Sequence, residues 1–305
     1  MPMRTCVILN PNAGSVDDLA HIAETLGKRE GVEVRHTAAA GDAERLAAEA
    51  VDEGFELVVA AGGDGTLNEV VNGLAAGFGR ARLGILPLGT GNDFARTIGV
   101  PADLDAALEV LTAGRLWRID VGRVELRQAG TSRAVQRYFV NVSAGGFAGV
   151  MSERMDDDVK SRWGPLAYLR TALETFAERE GYATVLTLDG GEVLSLPTYN
   201  VVVSNARFVA AGIPVAPQAE IDDGLLDVMI VPESSIPQLA ALVPQVLLGR
   251  HTESGLVELR RARRIEVRSE PPMPFNVDGE LVGESPATFE ILPRVLDVVV
   301  GDPPA

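Results

Sequence analysis

Three strand-like runs in the first hundred residues each end in a glycine-containing turn that leads into a helix. Val7-Ile8-Leu9 ends in Asn10-Pro11-Asn12-Ala13-Gly14, and Leu57 to Ala61 ends in Gly62-Gly63-Asp64-Gly65-Thr66. Leu83 to Leu86 ends in Pro87-Leu88-Gly89-Thr90-Gly91-Asn92-Asp93. Val32-Glu33-Val34 is a further strand candidate. Segments of helical periodicity separate the runs. Leu19, Ile22 and Leu26 follow Ser15 as N-cap, and Leu46, Ala50 and Val51 follow Asp42. Leu67, Val70, Val71 and Leu74 recur at i, i+3, i+4, i+7. Leu104, Leu108 and Leu111 lie between Asp103 and Gly114, an N-cap and a C-terminal stop. This alternation implies βαβ units and a mostly parallel sheet covered on both faces. In such a sheet all three turns sit at the carboxyl ends of strands, where ligands bind.

After about Arg115 the pattern changes. Tyr138, Val140 and Val142 alternate with Phe139 and Asn141, and Ile265 and Val267 alternate with Arg264, Glu266 and Arg268. Further strand-like runs occupy 183–188, 199–203, 225–231 and 295–300, with helical stretches at about 164–179 and 234–249. Period-2 alternation over many strands points to an antiparallel sandwich. The expected fold is therefore α/β: an N-terminal Rossmann-like α/β domain over residues 1–120 and a C-terminal antiparallel β-sandwich domain over 121–300. Sequence leaves open whether the last strand returns to the first domain. At roughly 150 residues per domain, 305 residues also fit two domains.

Composition removes whole classes of function. A net charge of −16 argues against nucleic acid as a partner, because binding phosphate backbones needs a basic footprint. No apolar run approaches the ~18 residues of a membrane span. Residues 1–4 lead straight into a strand without the apolar stretch of a signal peptide. Cys6 is the one cysteine, so a disulfide scaffold is excluded and a reducing cytoplasm is expected. The two lysines, Lys28 and Lys160, fit neither a Walker A loop nor a Val-Ala-Ile-Lys strand. His21, His36 and His251 are scattered, which leaves no zinc-site pattern.

The glycine turns point to phosphate. A helix N-terminus presents unpaired N–H groups and the positive end of a dipole, and glycine lets the backbone approach an anion closely. Thr66 and Thr90 can add hydroxyl donors. Asp64 and Asp93 suit an anion site only if Mg²⁺, or water on it, lies between carboxylate and phosphate. Phosphates with metal-positioning carboxylates imply phosphoryl transfer from a nucleotide. For both aspartates the competing reading is helix N-capping. Asn68 and Glu69 are read as solvating the first turn of their helix. A dinucleotide fingerprint is absent, since no Gly-x-Gly-x-x-Gly with a following acidic ribose ligand fits.

At these residues the chain resembles the diacylglycerol kinase catalytic-domain family, in particular its soluble bacterial lipid kinases. The matching segments are Asn10-Pro11-x-Ala13-Gly14, Gly62 to Gly73 (GGDGTLNEVVNG), Pro87 to Arg96 (PLGTGNDFAR), Gly164 to Leu169 (GPLAYL), Asp223 to Asp227 (DGLLD) and Asp278-Gly279-Glu280. They stand in family order and cover nearly the whole chain. The Gly-Gly-Asp-Gly-Thr core alone is shared with sphingosine, ceramide and NAD kinases.

The resemblance implies an ATP-dependent lipid kinase with ATP in a cleft between the α/β domain and the β-sandwich. It implies that Asn10, Pro11, Asn12, Ala13, Gly14, Thr37, Gly62, Gly63, Asp64, Gly65, Thr66, Leu67, Asn68 and Thr90 hold the nucleotide. Asp93 joins them through the Mg²⁺–water network. Asp278 is implied as the general base, and Glu280 as a contact to the nucleotide or its metal. Glu220, Asp223 and Leu225 align with a structural Mg²⁺ site, the first and third through backbone carbonyls. The acceptor would be a membrane lipid, diacylglycerol or a related one, met by peripheral contact at the inner face of the membrane. A homodimer is left open. The alternatives are an NAD-kinase-like soluble kinase and a catalytically silent nucleotide-binding regulator.

The remaining features have plainer readings. Without the resemblance, Asp278-Gly279 reads first as a hairpin turn pair. Asp156-Asp157-Asp158 reads as an exposed loop rather than a metal cluster. Arg260, Arg261, Arg263 and Arg264 read as a solvated face paired with nearby glutamates. Arg154, Lys160 and Arg162 around Trp163 would suit a membrane interface. Phe147, Met151, Tyr168, Phe208 and Val209 are candidates for an apolar mouth that takes acyl chains.

Overall fold

The computed structural model describes residues 3–14, 16–147 and 181–302. The chain divides into two compact units: Met1–Val121 with Ala210–Gly212 and Leu292–Ala305, and Gly122–Val209 with Ile213–Ile291. Ser15 and the segment 148–180, with its Gly-Pro-Leu-Ala-Tyr-Leu motif, aspartate run, Trp163 cluster and helical stretch, lie outside the described residues.

The first unit opens with β1 (Thr5–Leu9), α1 (Val16–Leu26), β2 (Val32–His36) and α2 (Asp42–Asp52). It continues with β3 (Leu57–Gly62), α3 (Asp64–Leu74), β4 (Arg82–Pro87), α4 (Asp93–Thr97) and α5 (Leu104–Ala113). The strands lie parallel in the order β4-β3-β1-β2, with Val7 opposite both Val34 and Val59. β1 and β3 are buried along their whole length, as expected of central strands covered on both faces. The chain leaves β1 toward β2 on one side and returns through α2 to β3 on the other. The order reverses between β1 and β3, where a crevice opens beyond the strand tips.

The helix ends differ in one place from the expected capping. Asp103 caps α5 by accepting from the Ala106 N–H at 3.0 Å, and Gly114 closes it at φ 66°. Asp42 does not cap α2. The cap position is Gly41, at φ 84°, and the Asp42 carboxylate accepts from the Ala38 and Ala39 amides at 2.8 and 3.1 Å instead. The glycine takes a left-handed conformation that strains a side chain, so the aspartate moves one residue on and fastens the preceding loop.

The second unit holds the second half of β5 (Leu116–Arg127), then β6 (Ala134–Phe139), β7 (Val142–Gly146), β8 (Tyr182–Leu188) and β9 (Glu192–Ser204). After these come β10 (Leu226–Pro232), α6 (Ile236–Leu247), β11 (Glu258–Ala262), β12 (Arg264–Glu270) and β13 (Pro274–Val277), with the start of β14 (Glu280–Val299). Two long strands serve both layers of the sandwich. The first half of β9 pairs with β8 and its second half with β7. The start of β14 pairs with β13, and residues 287–290 pair with β12. With β8 against β12 and β7 against β13, the pairing closes into a ring. Strands that pass between layers make the corners of such a fold. Phe139, Phe275 and Phe289 fill the core, with Phe139 edge-on to Phe289 at 6.4 Å between centroids.

β14 is far longer than the run 295–300 that the sequence marked. Gly283, Pro286 and alternating acids disguise its first half. Its last residues belong to the first unit, where Val298 lies opposite Leu83 and extends the parallel sheet beyond β4.

Candidate active site

In the first unit, the implied nucleotide-binding residues gather at the carboxyl ends of β1, β2, β3 and β4. Asn10 begins an Asx turn: its Oδ1 accepts from the Asn12 N–H at 2.9 Å, and Gly14 follows at φ 80°. Its Nδ2 donates to Thr66 Oγ1 at 3.1 Å, which ties the β1 tip to the first turn of α3. Thr37 follows β2, with its amide on the Leu9 carbonyl at 3.0 Å. Pro11, Asn12, Gly14, Gly65 and Thr90 are exposed, whereas Thr66, Leu67 and Asn68 are buried. Leu67 can therefore meet a ligand only through its backbone.

The tips of β3 and β4 touch backbone to backbone. A Cβ on Gly89 would lie 2.5 Å from the Gly63 Cα, and one on Gly62 would lie 2.4 Å from Thr66 Oγ1. Only glycine fits there, so the amides of both turns sit side by side at the start of α3. Asn92, at φ 51°, locks the second turn by accepting from the Gly89 N–H and donating to the Gly89 carbonyl. Beside it a groove of about 650 Å³ is lined by Pro87, Leu88, Asn92, Asp103 and the His21–Asp105 pair, whose Nε2···Oδ1 distance is 2.8 Å. Sequence pattern did not link His21 to this tip, because the pairing spans 84 residues.

Asp64 and Asp93 face one another across this end. Asp64 is the first residue of α3, whose cap is Gly63, so it does not cap its own helix. Its Oδ1 accepts from the Asp93 N–H at 2.9 Å and so holds the start of α4. Asp93 is buried, and its two oxygens accept from the Ala211 and Gly212 amides at 3.2 and 2.7 Å. It thereby fastens three successive left-handed residues, Ala210, Ala211 and Gly212. Burial raises the pKa of both carboxyls, and the Asp93 charge adds to the rise at Asp64. Neither forms a salt bridge among the described residues, so a cation beside Asp64 would relieve a real electrostatic cost.

Asn68 and Glu69 do more than solvate the first turn of α3. Asn68 is buried and accepts from Asn72 Nδ2 at 3.2 Å. Glu69 reaches across to α2, accepting from the Gly41 and Ala43 amides at 2.8 and 2.9 Å. It is the side-chain cap that α2 lacks from its own residues.

In the second unit, Asp278 and Gly279 form the two-residue turn between β13 and β14, at φ 45° and 95°. Paired positive φ values mark the hairpin turn that suits Asp-Gly. The Asp278 carboxylate is held from behind. Oδ1 accepts from the Val142 N–H at 2.9 Å and Oδ2 from the Val140 N–H at 3.3 Å. The Asp278 N–H donates to the Val142 carbonyl at 2.9 Å. Glu280 is exposed at the first position of β14.

The turn at 220–225 has its cation already. Arg261 pairs with Asp223 through Nη2 and with Asp227 through Nε, the latter at 3.3 Å. Asp223 Oδ1 also accepts from the Leu225 N–H at 2.9 Å. Both Asp223 oxygens are therefore engaged within the chain. No group of three His, Cys, Asp or Glu side chains placed to hold a metal occurs among the described residues.

Two other expectations resolve on contact geometry. Phe147 does not line an apolar mouth: it is buried between Tyr182 and Tyr199, each at 5.6 Å between centroids. Phe208 and Val209 are half-buried, and Met151 and Tyr168 lie outside the described residues. Arg260 and Arg264 of the basic cluster are paired with Glu192, Glu258, Glu266 and Glu290.

Comparison with known proteins bears on the family and the fold. Residues 4–124 match the diacylglycerol kinase catalytic domain model, and 140–300 match the model described as the YegS C-terminal NAD kinase beta sandwich-like domain. Diacylglycerol kinases of Staphylococcus aureus strains bovine RF122 / ET3-1 and MRSA252 are each 34% identical over 306 residues, spanning 98% of this chain and 92% of theirs. A solved Bacillus anthracis str. Sterne chain assigned as a diacylglycerol kinase superposes with a TM-score of 0.82 at 26% identity, covering 98% of this chain and 95% of that one. Yeast NADH kinase complexed with NADH shares the fold more distantly, at a TM-score of 0.57 and 11% identity over 99% of this chain and 84% of that one. With family models over both parts and relatives alike along nearly its full length, the chain belongs to the diacylglycerol kinase family of lipid kinases.

Proposed function

We propose that this lipid kinase transfers the γ-phosphoryl group of ATP to the free hydroxyl of diacylglycerol or a closely related lipid. The observation that carries the reading is the close contact of the glycine tips of β3 and β4, tied through Thr66 to the Asn10 turn of β1. Three sets of backbone amides at one sheet end suit a chain of phosphates. Asn10 to Gly14, Thr37, Gly62 to Asn68 and Thr90 would bind the nucleotide.

In the transfer, the lipid oxygen forms a bond to the γ-phosphorus as the bond to the β–γ bridging oxygen breaks, and ADP leaves. The hydroxyl proton passes to Asp278, whose carboxylate the Val140 and Val142 amides hold in one orientation. Glu280, two residues on, would contact the nucleotide or its metal. Mg²⁺ fits beside Asp64, where burial and the Asp93 charge leave a carboxylate in need of a cation. When bound with the phosphates it would neutralise their charge. Asp93 supports the site through the 210–212 segment instead. No step is derived through an ion at Glu220, Asp223 and Leu225.

The reading places the enzyme at the inner face of the cytoplasmic membrane as a peripheral protein. No helix among the described residues is long and apolar enough to cross a bilayer. The test is transfer from γ-labelled ATP to a panel of lipid acceptors, with NAD as a competing acceptor. Label is expected in phosphatidic acid or a related lipid phosphate. Label in NAD alone, or ATP binding without transfer to any acceptor, overturns the proposal.

A further inference from the structure

Beside the Asp278 turn the second unit carries a groove of about 440 Å³ whose arginines no step above uses. Its walls are the β5–β6 hairpin and the start of β14, with Gln128, Arg133, Arg137, Glu280 and Leu281 among the lining residues. Arg137 lies in β6 and Arg133 immediately precedes it, and both line the groove. Val124, opposite Arg137, is fully buried, as is Leu126, opposite Val135. The arginines therefore rise from the edge of an apolar floor. Among the described strands, β6 pairs with β5 alone.

What sets Arg133 and Arg137 apart is that both line one groove. Arg123 and Arg127 on the neighbouring strand are bound to Glu290 and Glu284, and Arg260, Arg261 and Arg264 are likewise paired with acids. Arg133 and Arg137 have no acidic partner among the described residues. The one polar side-chain contact of the pair is from Arg137 Nη1 to the Gln136 carbonyl at 3.4 Å. Glu280 is the one acid in the lining, so the groove keeps a net positive charge in a protein of net −16. Leu281, next to Glu280, leaves 41% of its surface exposed. Cationic heads over apolar stems, beside an exposed leucine, match the boundary of a bilayer rather than bulk water.

We infer that this groove binds the phosphodiester headgroup of an anionic phospholipid and so seats the Asp278 turn on an anionic bilayer. The inference rests on the lipid-kinase reading for its purpose, but not for its measurement. Segment 140–142, which holds Asp278, follows β6 directly, so Arg137 lies three residues from the backbone that aims the catalytic carboxylate.

Co-sedimentation with vesicles tests this without turnover. One set is phosphatidylcholine alone; the other has a third of it replaced by phosphatidylglycerol. The intact protein should prefer the anionic vesicles. Arg133→Glu with Arg137→Glu should abolish that preference, as loss of about fivefold per arginine is expected near an anionic surface. Arg29→Glu with Arg250→Glu makes the same charge change at exposed positions outside the groove and should leave the preference in place. Should the reversed pair fail to fold, Arg133→Ala with Arg137→Ala should weaken anionic-vesicle binding, and Gln128→Lys should tighten it. The inference is overturned if the control pair loses as much as the groove pair, or if inorganic phosphate binds the groove and no vesicle does. Vesicle preference that survives every groove variant overturns it as well. If the vesicle results hold while no lipid is phosphorylated, the kinase proposal fails and the groove stands.

Discussion

Asp278 holds a left-handed backbone conformation that costs a non-glycine residue free energy, and three hydrogen bonds to segment 140–142 keep it there. Such local strain marks a side chain whose direction matters. Asp278→Asn removes the proton acceptor but keeps the turn. The expected result is a loss of about 100- to 10,000-fold in kcat with the melting temperature little changed. His251 gives a pH signature away from the site. It is fully buried, donates Nε2–H to the Val215 carbonyl at 3.0 Å, and burial holds its pKa below the ordinary 6.5. A base whose folded pKa is depressed adds stability above its unfolded pKa and loses it as pH falls toward the folded value. Thermal stability should therefore drop on acidification below about pH 6.5, and His251→Gln should flatten that part of the profile. Cys6 lies buried in β1 with its thiol pushed up to about 11, so it should resist alkylation at mildly alkaline pH until the protein unfolds.

Among elements, α2 and α3 depend on each other. Glu69 supplies the cap for α2, and Gly73 lets the helices close together: a Cβ there would meet the Glu44 carbonyl oxygen at 2.2 Å. Glu69→Ala should cost about 1 kcal/mol, the usual effect of losing a helix cap, read by denaturant unfolding. Gly73→Ala should also destabilise, by about 1–3 kcal/mol, although alanine in an open helix is worth roughly 1 kcal/mol over glycine. The helical spacing of Leu67, Val70, Val71 and Leu74 was legible in the sequence because one period fixes one face. The cap was not, since Glu69 and Gly41 stand 28 residues apart.

For the whole molecule, β14 is the strand on which both units draw. It starts at the Asp278 turn, borders the β-sandwich, and ends in the parallel sheet beside β4. A chain cut after Ile291 would lose Val298 from the side of Leu83 and leave β4 as an open edge. That truncation should yield aggregated protein on size-exclusion chromatography even though every nucleotide-tip residue remains. The strand–helix alternation and the three glycine turns followed from the sequence alone, because both depend on neighbours a few residues apart and on the backbone freedom of glycine. Only the tertiary structure decided that Asp93 fastens the 210–212 segment, that Arg261 occupies the acids of the 220–227 turn, and that the sandwich closes into a ring. Each joins residues tens to more than a hundred positions apart, and no local period or propensity records which distant amide, carboxylate or strand edge a side chain will meet.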